Sequence, residues 1–201
     1  MSSHRRFVVN FAVRTVDMRL FFALWPPREI AERLARIAQL NANNFGGKPT
    51  RQETIHLTLA FLGEVNDERL PPLIQAAKGI GAAPFDLAIE GLDYWPHNHL
   101  IWGRTHASPA LTELVSRLQS ALTEAGFAHG RENQVFTPHL SLVRKVPVTS
   151  VPLRFPVIAP LHWHCASFVL VRSRPSDAPP SYETICEFPL DYMTTRNGAS
   201  A

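Results

Sequence analysis

The chain has 201 residues and a mass of 22.5 kDa, the size of one domain or of one domain in two lobes, long enough to bury a sizeable core without staples. A hydrophobic fraction of 45% against 18% charged residues excludes a disordered chain, and two cysteines exclude a disulfide scaffold. No apolar run approaches the roughly 20 residues of a membrane helix. The net charge is +3 and the pI about 9.2, which suits an anionic partner. Arginine supplies 17 of the 20 basic residues and is the better fork for phosphate, although genomic base composition is the better account of this bias and also explains the 17 prolines.

Residues 1–17 read as a flexible leader: Arg5 and Arg6 precede a weak apolar stretch with no small-residue cleavage site after it. Met18 stands directly before the first convincing strand, Arg19–Trp25, and is a second candidate start. Pro26-Pro27 ends that strand and opens a helix, with Ile30, Leu34, Ile37 and Ala38 at helical spacing as far as Leu40. Asn41–Pro49 reads as a loop, Thr54–Leu62 as a strand, and Asp67 as the cap of a helix reaching Lys78. Phe85–Leu92 alternates like a strand, with Leu100–Gly103 as its hairpin partner. Ser108-Pro109 opens a helix with Leu111, Leu114, Val115, Leu118 and Leu122 on one face, and Gly126 ends it. His139–Val143 is a further strand. Ser167–Val171 and Thr184–Leu190 form a late hairpin across the proline-rich segment 175–181. Residues 193–201 read as a flexible tail, leaving 18–192 as one two-lobed domain. The order β-α-β-α-β-β-α-β-β-β contains neither a GxGxxG sequence nor a phosphate-binding P-loop.

One internal echo stands out. Thr54-Ile-His-Leu-Thr-Leu-Ala-Phe61 and Thr137-Pro-His-Leu-Ser-Leu-Val-Arg144 share the order His, apolar, hydroxyl, apolar, with the histidines 83 residues apart. On a strand, residues i and i+2 point the same way. His56 and Thr58 therefore share one face, while Leu57, Leu59 and Phe61 are expected to pack into the core. In the second copy His139 and Ser141 share a face, opposite Leu140 and Leu142. Two imidazoles that face one another can act as acid and base near neutral pH, while hydroxyls bind non-bridging oxygens and a cation offsets transition-state charge. Arg144 is the candidate cation. Strict alternation turns it away from His139, so it needs a bulge or a strand end to join the site. A lone histidine in an apolar strand is usually structural; the repetition in equivalent strands, with a hydroxyl at the same offset, lifts the pair above that reading.

These residues resemble the 2H phosphoesterases, a family marked by two H-x-[ST]-x motifs, and most closely the RNA 2′,3′-cyclic phosphodiesterases, also called 2′-5′ RNA ligases. The resemblance spans roughly 18–192. It rests on Leu20-Phe-Phe-Ala-Leu24 followed by Pro27, on His56-Leu-Thr-Leu-Ala-Phe-Leu-Gly-Glu-Val65, and on Phe136-Thr-Pro-His-Leu-Ser-Leu-Val-Arg144. Ser141 stands where threonine is commoner. The resemblance implies an α+β, bilobal, duplicated α/β fold, with two antiparallel sheets facing a central cleft and helices outside. It implies hydrolysis of RNA 2′,3′-cyclic phosphate ends to 2′-phosphates, with reverse 2′-5′ ligation, and no metal or other cofactor. His56 is then the proton donor and His139 the proton acceptor, with Thr58, Ser141 and Arg144 holding the phosphate. The expected partner is RNA, single-stranded or as tRNA fragments, met by a cytoplasmic monomer away from membranes. Two other readings stay open: a sister activity on a small nucleotide such as an ADP-ribose cyclic phosphate, and a non-catalytic RNA-binding module.

The remaining candidates are weaker. Phe22 is a candidate to stack an RNA base, because the first strand borders the expected cleft, and Tyr182 could reach the same space. Trp95 and Trp102 flank the hairpin and read first as core. His97/His99 and His162/His164 are i, i+2 pairs without a third metal ligand at a usual spacing. Cys165 and Cys186 read as ordinary thiols.

Overall fold

A computed structural model describes residues 17–130, 136–174 and 181–191; the expected tail 193–201 and all of the expected leader but Asp17, which belongs to the first strand, lie outside the described residues, as does most of the proline-rich segment. The chain begins with strand β1 (Asp17–Leu24) and helix α1 (Arg28–Phe45), followed by a short strand β2 (Lys48–Pro49) and strand β3 (Leu57–Asn66). Helix α2 (Leu70–Lys78), the hairpin β4 (Phe85–Trp95) and β5 (Leu100–Thr105), and helix α3 (Pro109–Glu124) come next. Strands β6 (His139–Arg144), β7 (Leu161–Cys165), β8 (Ser167–Arg174) and β9 (Ser181–Pro189) complete the order.

Local chemistry sets these boundaries. Ser108 Oγ accepts the Leu111 N–H at 3.2 Å, and Pro109 occupies the first turn of α3, where a missing N–H costs nothing. Gly126, at φ 73°, turns the chain out of that helix. Helix α1 runs five residues past the expected Leu40. Asn41 reads as a helix breaker, yet here it is buried and its amide donates to the Ile37 carbonyl at 2.8 Å, so it bonds within the helix rather than competing with it. The first motif also differs from expectation: Gln52–Thr54 is a 3-10 turn, and the strand begins after His56. Strand β7 is hidden in the sequence by its proline-rich flank. Its buried Leu161, Trp163 and Cys165 alternate with exposed His162 and His164.

All pairings are antiparallel, and the sheet order is β7-β4-β5-β6-β3-β1-β8-β9, with β2 beside β6. The two expected sheets are the halves of one curled sheet. One half is β7-β4-β5-β6 and the other β3-β1-β8-β9, joined by the single pair Leu57↔Leu140. That seam lies one residue from each motif histidine. The helices cross over: α1, which precedes the first motif, packs on β6, and α3, which precedes the second, packs on β3. Leu34 of α1, Leu118 of α3, Leu57 and Leu140 all belong to one core and are fully buried. Strand β1 is buried on both faces. Leu20, Phe22 and Leu24 enter that core, while Phe21 and Ala23 form a second small cluster with Val169 and Val171 on the other face.

Candidate active site

Strand alternation alone does not build this site; two bulges complete it. In the β1–β3 ladder Leu59 and Leu62 have no partner: Ala23 pairs with Thr58 and Phe22 with Ala60. In the β5–β6 ladder Leu142 has none: Trp102 pairs with Ser141 and Ile101 with Val143. Each bulge places two consecutive side chains in the core, Leu59/Ala60 in one copy and Leu142/Val143 in the other. The alternation is thereby reset, and the fifth residue after each histidine returns to the histidine's own face. In β6 that residue is Arg144, which lines the pocket with His139 and Ser141. In β3 it is Phe61. The expectation that Phe61 packs into the core is corrected: it is 39% exposed and lines the same pocket.

The resulting cavity, of about 340 Å³, takes in His56, Thr58, His139, Ser141 and Arg144. The two histidines are held identically. His56 Nδ1 lies 2.8 Å from the Thr54 carbonyl and His139 Nδ1 lies 2.8 Å from the Thr137 carbonyl. A carbonyl only accepts, so each Nδ1 carries its proton and donates it. Each neutral ring therefore keeps its lone pair on Nε2, and each protonated ring has Nε2–H to give.

The surroundings of the two rings differ. His56 stacks on Phe21 (centroids 4.8 Å apart) and on Trp25 (5.2 Å, 9° between planes), with Tyr182 edge-on at 5.5 Å. Its pKa is lowered from 6.5 to about 4, by burial first, with Arg144 and His139 adding to the effect against the Thr54 hydrogen bond. His139 meets Trp95 at 4.5 Å and Trp102 at 6.1 Å. Its pKa is also lowered, again by burial first, with Arg144 adding to the effect against the Thr137 hydrogen bond. Both rings are therefore mostly neutral at pH 7.

Phe22 requires correction. It is fully buried against Phe168 and Phe188, on the core face of β1, and cannot meet a substrate. The neighbouring Phe21 has the opposite parity and faces the site. Tyr182 does reach the pocket. Sequence reasoning misses Trp25, Arg19 and Ser173. Trp25 shares the parity of Phe21, which is the available signal. Arg19 and Ser173 are brought to the pocket by the β1–β8 pairing, which joins distant parts of the chain. Trp102 is buried, and Trp95 is half-buried between Trp102 and His139. Among the described residues no three His, Cys, Asp or Glu side chains cluster as a metal site; His164 donates instead to Asp86 at 2.8 Å. Cys165 and Cys186 are free thiols, and burial pushes that of Cys165 up to about 12.

Two motif histidines with hydroxyls beside them in one pocket define a two-histidine phosphoesterase site, and comparison with known proteins leads to the same class. The family model described as "LigT like Phosphoesterase" matches residues 24–102. An RNA 2′,3′-cyclic phosphodiesterase of Thermus thermophilus is 32% identical over 186 residues, which cover 86% of this chain and 90% of that protein. The Escherichia coli protein of the same name is 32% identical over 127 residues, 63% of this chain and 71% of its own length. Among solved structures, Escherichia coli LigT complexed with 3′-AMP superposes with a TM-score of 0.75 at 27% identity, covering 87% of this chain and 99% of that one. A Thermus thermophilus structure gives 0.74 at 29% identity, covering 86% and 98%. The chain belongs to the RNA 2′,3′-cyclic phosphodiesterase family of LigT-like phosphoesterases.

Proposed function

We propose that this protein hydrolyses 2′,3′-cyclic phosphate ends of RNA to 2′-phosphomonoesters, using His56 as proton donor and His139 as proton acceptor. The observation that carries this reading is the matched pair of Nε2 atoms: two histidines with the same fixed tautomer line one cavity with two hydroxyls and a guanidinium. His139 Nε2 takes a proton from water as the water oxygen bonds to phosphorus. The bond from phosphorus to O3′ breaks, and His56 Nε2–H protonates the departing oxygen. A 2′-phosphate and a free 3′-hydroxyl result, and the dyad regains its starting protonation by exchange with solvent. Thr58 and Ser141 donate hydrogen bonds to the non-bridging oxygens, and Arg144 offsets the charge that grows there. With an RNA 5′-hydroxyl in the place of water as the nucleophile on the cyclic phosphate, and O3′ again leaving, the same dyad gives a 2′-5′ linkage.

The scheme uses no metal. The substrate is taken to be single-stranded RNA, tRNA fragments included, met in the cytoplasm by a monomer; among the described residues no helix is long and apolar enough to cross a membrane. The test is end-group analysis of a short RNA ending in a 2′,3′-cyclic phosphate, incubated in EDTA with wild type, His56→Ala and His139→Ala. Conversion to a 2′-phosphate by wild type alone is expected. A 3′-phosphate product would overturn the donor and acceptor assignment, and loss of turnover in EDTA would overturn the metal-free scheme. Absence of turnover with and without EDTA would favour the nucleotide or binding-module readings.

A further inference from the structure

The pocket contains one more cation than its chemistry uses. Arg144 lines it and is assigned above to the reacting phosphate. Arg19 lines it too, and no carboxylate does. Elsewhere on the surface Arg28 and Arg36 pair with Glu32, Arg117 with Glu113, and Arg174 with Glu183. Arg19 makes no ion pair among the described residues, although Glu64 stands opposite it in the β1–β3 register. Its guanidinium lies over the Phe61 ring, 5.0 Å from the centroid, an aromatic face that attracts the cation.

The ladder places the two guanidiniums at opposite ends of the cleft. Strands β3 and β6 are antiparallel and touch at Leu57↔Leu140, so passing from Thr58 to Phe61 runs opposite to passing from Ser141 to Arg144. Arg19 lies beyond Phe61, at the level of Glu64, while Thr58 sits opposite Ala23. Four residues of strand, roughly 13 Å at about 3.3 Å each, separate Arg19 from the level of the first motif hydroxyl. Ser173, its partner in the β1–β8 register, brings a hydroxyl to the same end. A 2′,3′-cyclic phosphate carries a single negative charge, and Arg144 already answers it. A second guanidinium at the far end, unpaired and steadied on an aromatic ring, calls for a second anion.

We infer that Arg19, with Ser173 and Phe61, forms a subsite for the phosphate on the 5′ side of the terminal nucleoside. This inference rests on the phosphodiesterase reading above and adds to it: the preferred substrate is an oligonucleotide end rather than a nucleoside cyclic phosphate. Three substrates test it: a nucleoside 2′,3′-cyclic phosphate, the same compound with a 5′-phosphate, and a dinucleotide with a cyclic phosphate end. In wild type, kcat/KM rises with the added phosphate. In Arg19→Ala the preference ratio of the dinucleotide over the nucleoside falls about tenfold, as loss of a charge-assisted contact predicts. The slope of log kcat/KM against log salt on the dinucleotide becomes shallower by about 0.7. Arg19→Lys, with matched thermal midpoints, recovers part of the ratio. An equal loss on all three substrates would assign Arg19 to the reacting phosphate or to the fold, and overturn the inference. An unchanged ratio would overturn it too, with the phosphodiesterase reading intact. Absence of wild-type turnover on all three would remove that reading and this inference together.

Discussion

Burial of His56 makes acid stability a readout of the site. Phe21, Trp25 and Tyr182 enclose the ring and bring its pKa to about 4, against 6.5 for a free histidine. The unfolded chain therefore binds a proton at a pH where the folded chain does not. The contribution of His56 to stability is fully present above pH 6.5 and is lost as the pH falls towards 4. Between about pH 7.5 and about pH 4.5 the loss from this one group comes to about 2.5 kcal/mol. His56→Gln is close in size and does not titrate. Its absolute stability will differ from wild type, but that offset is the same at both pH values and cancels. Urea unfolding of both proteins at the two pH values gives the double difference directly. The other titrating groups are common to both proteins. The variant should lose about 2.5 kcal/mol less than wild type on acidification. A double difference within about 0.5 kcal/mol of zero would show that the aromatic enclosure does not desolvate His56, and the account of the site's protonation would fail.

The same enclosure predicts the activity profile. Both histidine pKa values lie below 6.5 and turnover needs one proton on the dyad, so kcat/KM should fall about tenfold per pH unit above about pH 6.5; a plateau running to pH 8 would contradict it. Phe21→Ala removes a buried ring stacked on His56 and should cost about 3–4 kcal/mol of stability. In the same variant the His56 pKa, followed by the NMR shift of its ring protons, should move upward from about 4 as water reaches the ring. Arg144→Gln keeps a donor and removes the charge, so kcat/KM should drop by about 100-fold to 1,000-fold. A change of less than about threefold would place the phosphate elsewhere.

The repeated tetrapeptide is legible because its period matches a strand and its copies match each other. That fixes which four side chains share a space, and the helices before each copy follow from their apolar spacing and caps. The fifth position of each copy is not legible. Alternation sends Phe61 to the core and Arg144 away from His139, yet the bulges at Leu59 and Leu142 bring both to the pocket. A bulge leaves a faint mark, two adjacent apolar residues where one belongs, and Leu-Ala and Leu-Val are that mark. The choice between Phe21 and Phe22 fails for a different reason. Both faces of β1 are apolar, so nothing in the sequence says which one faces the cleft until β8 and Tyr182 are in place. Arg19 and Ser173 become neighbours only through that same long-range pairing.

Duplication gives two equivalent histidines, whereas the reaction needs an acid and a base, so the surroundings must break the symmetry. The backbone does not: the tautomer, the carbonyl partner and the bulge are the same in both copies. The side chains do. His56 has three rings against it, two of them stacked, while His139 has two, both edge-on. The imidazolium held at the drier position is the less stable one and gives up its proton more readily, which supports His56 as the donor. A substrate whose leaving group needs no proton separates the two roles. On a phosphodiester that releases 4-nitrophenolate, His56→Ala should regain most of wild-type kcat/KM, while His139→Ala stays impaired because water still needs its base. Recovery by His139→Ala instead would exchange the assignments, and equal impairment of both would mean that the dyad binds the phosphate rather than moving protons.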